Sequence, residues 1–70
     1  MSSNPSISII VPVLNEEGSL DIFYKEISNA LKGFREWEII FIDDGSDDNS
    51  NNIIRSLADD DNRITLIQFF

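Results

Sequence analysis

Two short acidic segments carry the residue types that could do chemistry in this chain. Asp43-Asp44-Gly45-Ser46 ends the apolar run Ile39-Ile40-Phe41-Ile42, and Asn15-Glu16-Glu17 follows Ile9-Ile10-Val11-Pro12-Val13-Leu14. An ionised carboxylate only accepts hydrogen bonds, so its partners are donors or cations. Suitable donors are sugar hydroxyls and the ring N–H of a pyrimidine or of guanine. Two apolar strands that both stop on ligand-type residues suggest one site built from two loops.

Each segment also has a purely structural reading. Asp43 or Asp44 could cap the next helix while Gly45 supplies a positive φ. That accounts for one carboxylate better than for two, because adjacent acids repel. Side chains alternate along a strand, so Asp43 and Asp44 should point to different faces. One would orient the loop and the other would meet a ligand. Asn15-Glu16-Glu17 could simply cap a helix and compensate its dipole. Alternatively, Asn15 or Glu16 touches the same ligand as Asp44, with Pro12 fixing the backbone so that the loop folds over the crevice.

Other chemistries fit poorly. Gly18, Gly33 and Gly45 are too scattered for a phosphate-cradling glycine loop. The Asp43–Asn52 stretch departs from the calcium-loop pattern, since its glycine comes too early and no glutamate closes it. A phosphoacceptor receiver domain would carry its paired aspartates after the first strand, whereas these follow the second. With no cysteine and no histidine, thiolate and imidazole ligands are excluded, leaving only oxygen-bound ions such as magnesium, manganese or calcium. A nucleoside diphosphate could approach this acidic rim only with a divalent cation between, which calls for a further acid outside these residues. The aromatic positions fall at core spacing, which favours packing over a sugar-stacking platform.

The elements that must position these residues follow from periodicity. Ile7–Val13 is short and β-branched, as buried strands are, and pairing is expected to fail near Pro12. Leu20, Phe23, Tyr24, Ile27, Leu31 and Phe34 have helical spacing, with Gly33 as a stop signal. Trp37–Ile42 is a second strand. Asp47–Asn52 reads as a polar linker with several candidate N-caps, and Ile53, Ile54, Leu57 and Ala58 as a second helical stripe, broken by 59–62. Ile64–Phe70 is a third strand, and residues 1–6 a loose polar lead-in.

The order β-α-β-α-β predicts an α/β fold with three parallel strands in the order 3-2-1 and right-handed crossovers. Ligands of open α/β sheets bind at the carboxyl edge of the strands. Residues 12–17 and 43–46 would share that crevice. The first strand is apolar on both faces, and as a sheet edge it would invite pairing with further chain or self-association. Together with the apolar ending Phe69-Phe70, this predicts the first portion of a larger, incomplete domain.

Bulk properties set the remaining bounds. Seventy residues make one small domain, burying only about 60% of its unfolded surface. The net charge of −8 offers no basic footprint for nucleic acid and repels anionic membranes. No segment reaches the length of a membrane span and the N-terminus has no signal-peptide pattern, so the expected location is the cytoplasm.

With the paired motifs Ile-Ile-Val-Pro-Val-Leu-Asn-Glu-Glu and Ile-Ile-Phe-Ile-Asp-Asp-Gly-Ser-Asp-Asp, the chain resembles the start of a family 2 glycosyltransferase of the GT-A fold, a similarity that covers residues 7–70. The wording is closest to the polyprenyl-phosphate branch, the dolichol-phosphate mannosyltransferases and bactoprenol glucosyltransferases. The resemblance implies a Rossmann-like, nucleotide-binding half-fold at residues 7–70. Pro12, Val13, Asn15 and Glu16 would line the nucleotide pocket. Asp44 would accept a hydrogen bond from the base, Gly45 and Ser46 would shape that wall, and Asp43 would support the loop. Such enzymes move a sugar from UDP or GDP to a lipid phosphate with inversion, using Mg2+ or Mn2+, at the cytoplasmic face of a membrane. The family's D-x-D metal motif, catalytic base and acceptor segments would lie beyond these residues. The expectation is therefore a nucleotide-binding piece with no catalytic residue and no metal of its own. The alternative is an inactive fragment or a non-enzymatic α/β binding module.

Overall fold

A computed structural model of the chain describes residues 7–69. The expected lead-in at 1–6 and the last residue of the expected third strand, Phe70, lie outside that range. The order is β1 (Ile7–Val13), α1 (Leu20–Leu31), β2 (Trp37–Asp43), α2 (Ser50–Asp60) and β3 (Ile64–Gln68). All pairing is parallel and β2 is central, in the order β1-β2-β3. This is the expected 3-2-1 sheet, and it matches part of a Rossmann-like GT-A fold.

The odd-numbered residues of β2 explain the packing. Trp37, Ile39, Phe41 and Asp43 are all buried, while Glu38, Ile40 and Ile42 are only partly so. One face therefore lies under the helices, where Val13, Leu20, Leu31, Ile54 and Ile64 complete the buried core. Fully burying each large side chain contributes about 1.5–3 kcal/mol. Phe23 of α1 meets Phe41 edge-on, with ring centroids 6.2 Å apart. The opposite face is open among the described residues: Ile10 and Ile67 are exposed there.

Three expectations need correction. Pairing does not fail at Pro12, which stays in register with Ile42, and the ladder continues to Val13 and Asp43. The Val13 carbonyl faces β2, where it accepts the Asp44 N–H at 3.0 Å. Backbone groups of alternate residues face opposite edges, so the N–H that Pro12 lacks belongs to the outer edge, where a proline is tolerated. Phe34 is not on the apolar face of α1. The helix stops at Leu31 with Lys32 as C-cap, and Phe34 folds back to donate its N–H to the Leu31 carbonyl, its ring exposed. The expected linker 47–52 is shorter, because Ser50, Asn51 and Asn52 already belong to α2.

A polar knot ties the amino end of β2 and β3 to α1. The Asp61 carboxylate accepts the Tyr24 hydroxyl at 2.7 Å and two bonds from the Arg63 guanidinium at 2.9 and 3.0 Å. Arg63 in turn lies over the Trp37 ring, 3.9 Å from its centroid. The Arg63 side chain, foremost, outweighs burial and holds the Asp61 carboxyl at about 2. Its folded value is depressed, so the stability it contributes is present above the ordinary carboxylate range and is lost as pH falls from about 4 toward about 2. Asp61→Asn is expected to destabilise the fold by about 1–2 kcal/mol at neutral pH, and by progressively less toward pH 2, in urea unfolding followed by circular dichroism. An equal loss at pH 7 and pH 2 would contradict this.

Candidate functional site

At the carboxyl edge of the sheet the loops after β1 and β2 are knitted together. Asn15 sits at φ 54°, in the left-handed region that asparagine enters more readily than most side chains. That turn aims its side-chain oxygen across the gap, where it accepts the N–H groups of Asp47 (2.8 Å) and Asp48 (3.3 Å). Its own N–H donates to Ser46 Oγ at 2.9 Å. The next two residues extend the stitch. The Glu16 N–H donates to Ser50 Oγ at 2.9 Å and the Glu17 N–H to Asp48 Oδ2 at 3.2 Å. Glu17 Oε1 accepts the Asn49 N–H at 2.9 Å.

These contacts revise the capping expectation. Glu17 serves the N-terminus of α2, not of the helix that follows it in the chain. Neither Ser19 nor Asn49 caps its helix through its own side chain. Asp48 Oδ1 takes the Ser50 N–H at 2.9 Å, and Ser19 instead donates to Glu16 Oε1 at 3.0 Å. The first loop thus closes the second helix, and the two strand ends behave as one unit.

Asp43 and Asp44 diverge as alternation requires. Asp43 is fully buried. Its Oδ1 accepts the Ser46 N–H at 3.0 Å and its Oδ2 accepts the Asn51 side-chain amide at 3.0 Å. Burial alone would push the carboxyl up, yet the bonds from Ser46 and Asn51 prevail and hold it below the ordinary range. Asp44 is exposed, and no hydrogen-bond or ion-pair partner meets its carboxylate among the described residues. Gly45, at φ 87°, makes the turn that follows them, where a side chain would be strained.

The other candidate residues divide into two groups. Pro12, Val13 and Glu16 line a cleft of about 350 Å³ between the outer edge of β1 and α1, together with Leu20, Phe23 and Glu26. The Val13 side chain itself belongs to the core. Asn15, Asp44, Gly45 and Ser46 do not line that cleft; they form the rim beside it. Sequence reasoning did not single out Ser50, a fully buried serine read as part of a polar linker with several candidate N-caps, or Asn51, the partner of Asp43. A buried hydroxyl at a helix start leaves no periodic signal, because its partner lies 34 residues away.

Among the described residues no group of three or more acids is placed to hold a metal ion. Both oxygens of Asp43 are already engaged by donors and Asp44 stands alone. These residues do not by themselves fit Mg2+ or Mn2+. Nor is any described helix long and apolar enough to cross a membrane.

Parallel βαβαβ topology with a shared carboxyl-edge rim defines part of a Rossmann-like α/β fold. Residues 8–69 match the family model for glycosyl transferase family 2, and the chain belongs to that family. Over 65 residues it is 45% identical to a prophage bactoprenol glucosyl transferase homolog of Escherichia coli K12, covering 90% of this chain and 21% of the relative. It is 43% identical over 53 residues to an undecaprenyl-phosphate 4-deoxy-4-formamido-L-arabinose transferase of Shewanella sediminis, covering 74% and 16%. A GalNAc(5)-diNAcBac-PP-undecaprenol beta-1,3-glucosyltransferase of Campylobacter jejuni is 38% identical over 60 residues, covering 86% and 19%. The chain thus spans about a fifth of the length of the curated relatives it matches.

Proposed function

We propose that residues 7–70 form the nucleotide-binding part of a glycosyltransferase that moves a sugar from a UDP- or GDP-sugar to a polyprenyl phosphate. The observation that carries the reading is Asp44, a carboxylate without a partner among the described residues, on a rim whose neighbouring polar groups are tied to one another. Such an acid is poised for a ring N–H: N3–H of uracil or N1–H of guanine. Asn15 and Ser46 act by holding the rim, and Asp43 by supporting the loop beneath it. Pro12, Val13 and Glu16 form the adjoining wall toward α1. The names of the relatives support a lipid-linked acceptor, and inverting transfer with Mg2+ or Mn2+ belongs to the longer enzyme. Metal ligands and catalytic base come from other parts of that enzyme, which works at the cytoplasmic membrane face.

Binding by this chain alone is expected to be weak, and NMR titration with UDP and GDP measures it. A hydrogen bond to a charged group is worth about 1.5–3 kcal/mol, so Asp44→Ala is expected to weaken binding roughly 10- to 100-fold while leaving the fold intact. Unchanged affinity in that variant overturns the reading in favour of a non-enzymatic module.

A further inference from the structure

The rim has a second edge, contributed by β3. The Phe69 N–H donates to the Asp43 carbonyl at 2.9 Å, so the ladder between β2 and β3 runs one residue past Gln68. Asp43 is in register with Gln68, which sets Phe69 beside Asp44. Asp43 is buried beneath the helices and Gln68 accepts a bond from Arg55 of α2 at 3.0 Å. Alternation therefore brings Asp44 and Phe69 out together on the opposite, open face. There the Phe69 ring is 57% exposed. Gly45 lies beside the Phe69 backbone, a Cβ there falling at an ordinary contact distance of 3.8 Å from its carbonyl, and as a glycine it puts no side chain along the rim.

A carboxylate and an exposed phenyl ring on neighbouring strands, whose backbones run about 5 Å apart, suit one planar heterocycle. The acid takes the in-plane N–H at the edge of the ligand, and the phenyl ring takes its face. An exposed phenylalanine elsewhere needs no explanation. This one is exposed beside an acid that has no partner among the described residues. Resting on the nucleotide-binding reading above, we infer that Phe69 is the surface on which the base of the nucleoside diphosphate stacks. The contribution is tolerant of base identity, because every base offers a π-face, whereas Asp44 selects bases with a ring N–H.

The test compares Phe69→Leu, Phe69→Trp and Asp44→Ala with the parent chain, using UDP, GDP and inorganic pyrophosphate as NMR probes. Phe69→Leu keeps apolar bulk and removes the ring. It is expected to weaken UDP and GDP about tenfold, to leave pyrophosphate unchanged and to abolish the upfield ring-current shift of the base protons. Phe69→Trp should preserve both affinity and shift. Unfolding midpoints should not move, since the side chain is largely in solvent. If Asp44→Ala abolishes nucleotide binding while Phe69→Leu leaves affinity and ring-current shift untouched, stacking is overturned and the nucleotide-binding reading stands. If Asp44→Ala changes nothing, or neither nucleotide binds the parent chain, both are overturned.

Discussion

Asp43→Ala is expected to cost about 3 kcal/mol of folding stability, enough to leave a chain of this size largely unfolded at 37 °C. The carboxylate is fully buried, yet it is held ionised by the Ser46 N–H and the Asn51 amide. Removing it strands two half-buried donors and forfeits two hydrogen bonds to a charged group, each worth about 1.5–3 kcal/mol. Asp43→Asn keeps the shape but turns one end of the side chain into a donor facing another donor, so it should recover little. The pH dependence has a definite sign. Because the folded carboxyl titrates below its ordinary value, its contribution is present above the ordinary carboxylate range and disappears as pH falls through the folded pKa. Urea unfolding of parent and variant between pH 3 and pH 7 measures this. The gap should narrow on the acid side; a loss below 1 kcal/mol at pH 7 would show that Asp43 does not hold the loop.

The second large effect is expected at Asn15. Asn15→Val removes the acceptor for the Asp47 and Asp48 N–H groups and puts a β-branched residue at φ 54°. Those N–H groups are near water, so the lost bonds are worth about 1 kcal/mol together, while the left-handed backbone adds about 1–2 kcal/mol. A total near 2–3 kcal/mol is expected for Asn15→Val, and about 1 kcal/mol for Asn15→Gly, which tolerates the backbone but makes no side-chain bond. Thermal unfolding of the pair separates the two causes. Equal losses would mean that the left-handed turn contributes nothing.

The parts of this architecture that sequence made legible are those governed by local rules. Runs of β-branched residues ending in acids gave β1 and β2. Strand alternation predicts that Asp43 and Asp44 face different ways, and the structure buries Asp43 and exposes Asp44. Illegible features depended on partners far along the chain. Nothing local says that Glu17 accepts the N–H of Asn49 or that Ser50 accepts that of Glu16. The start of α2 was hidden for the same reason: Ser50, Asn51 and Asn52 are weak helix formers, and the bonds that fix the first turn come from Asp48 and from the other loop. Pro12 misled because a proline forbids pairing only on the side its nitrogen faces, and that side is the open one. Phe34 misled because helical spacing continues past the residue where the helix stops.

These observations converge on a single physical arrangement, two strand ends laced into one acidic lip that leaves Asp44 free among the described residues. An amide chemical-shift map of the chain titrated with UDP tests it most directly. The largest changes are predicted together in residues 13–17 and 43–48, growing along one saturation curve. Changes confined to one of those loops, or centred on the Tyr24, Asp61 and Arg63 knot at the far end, would contradict it.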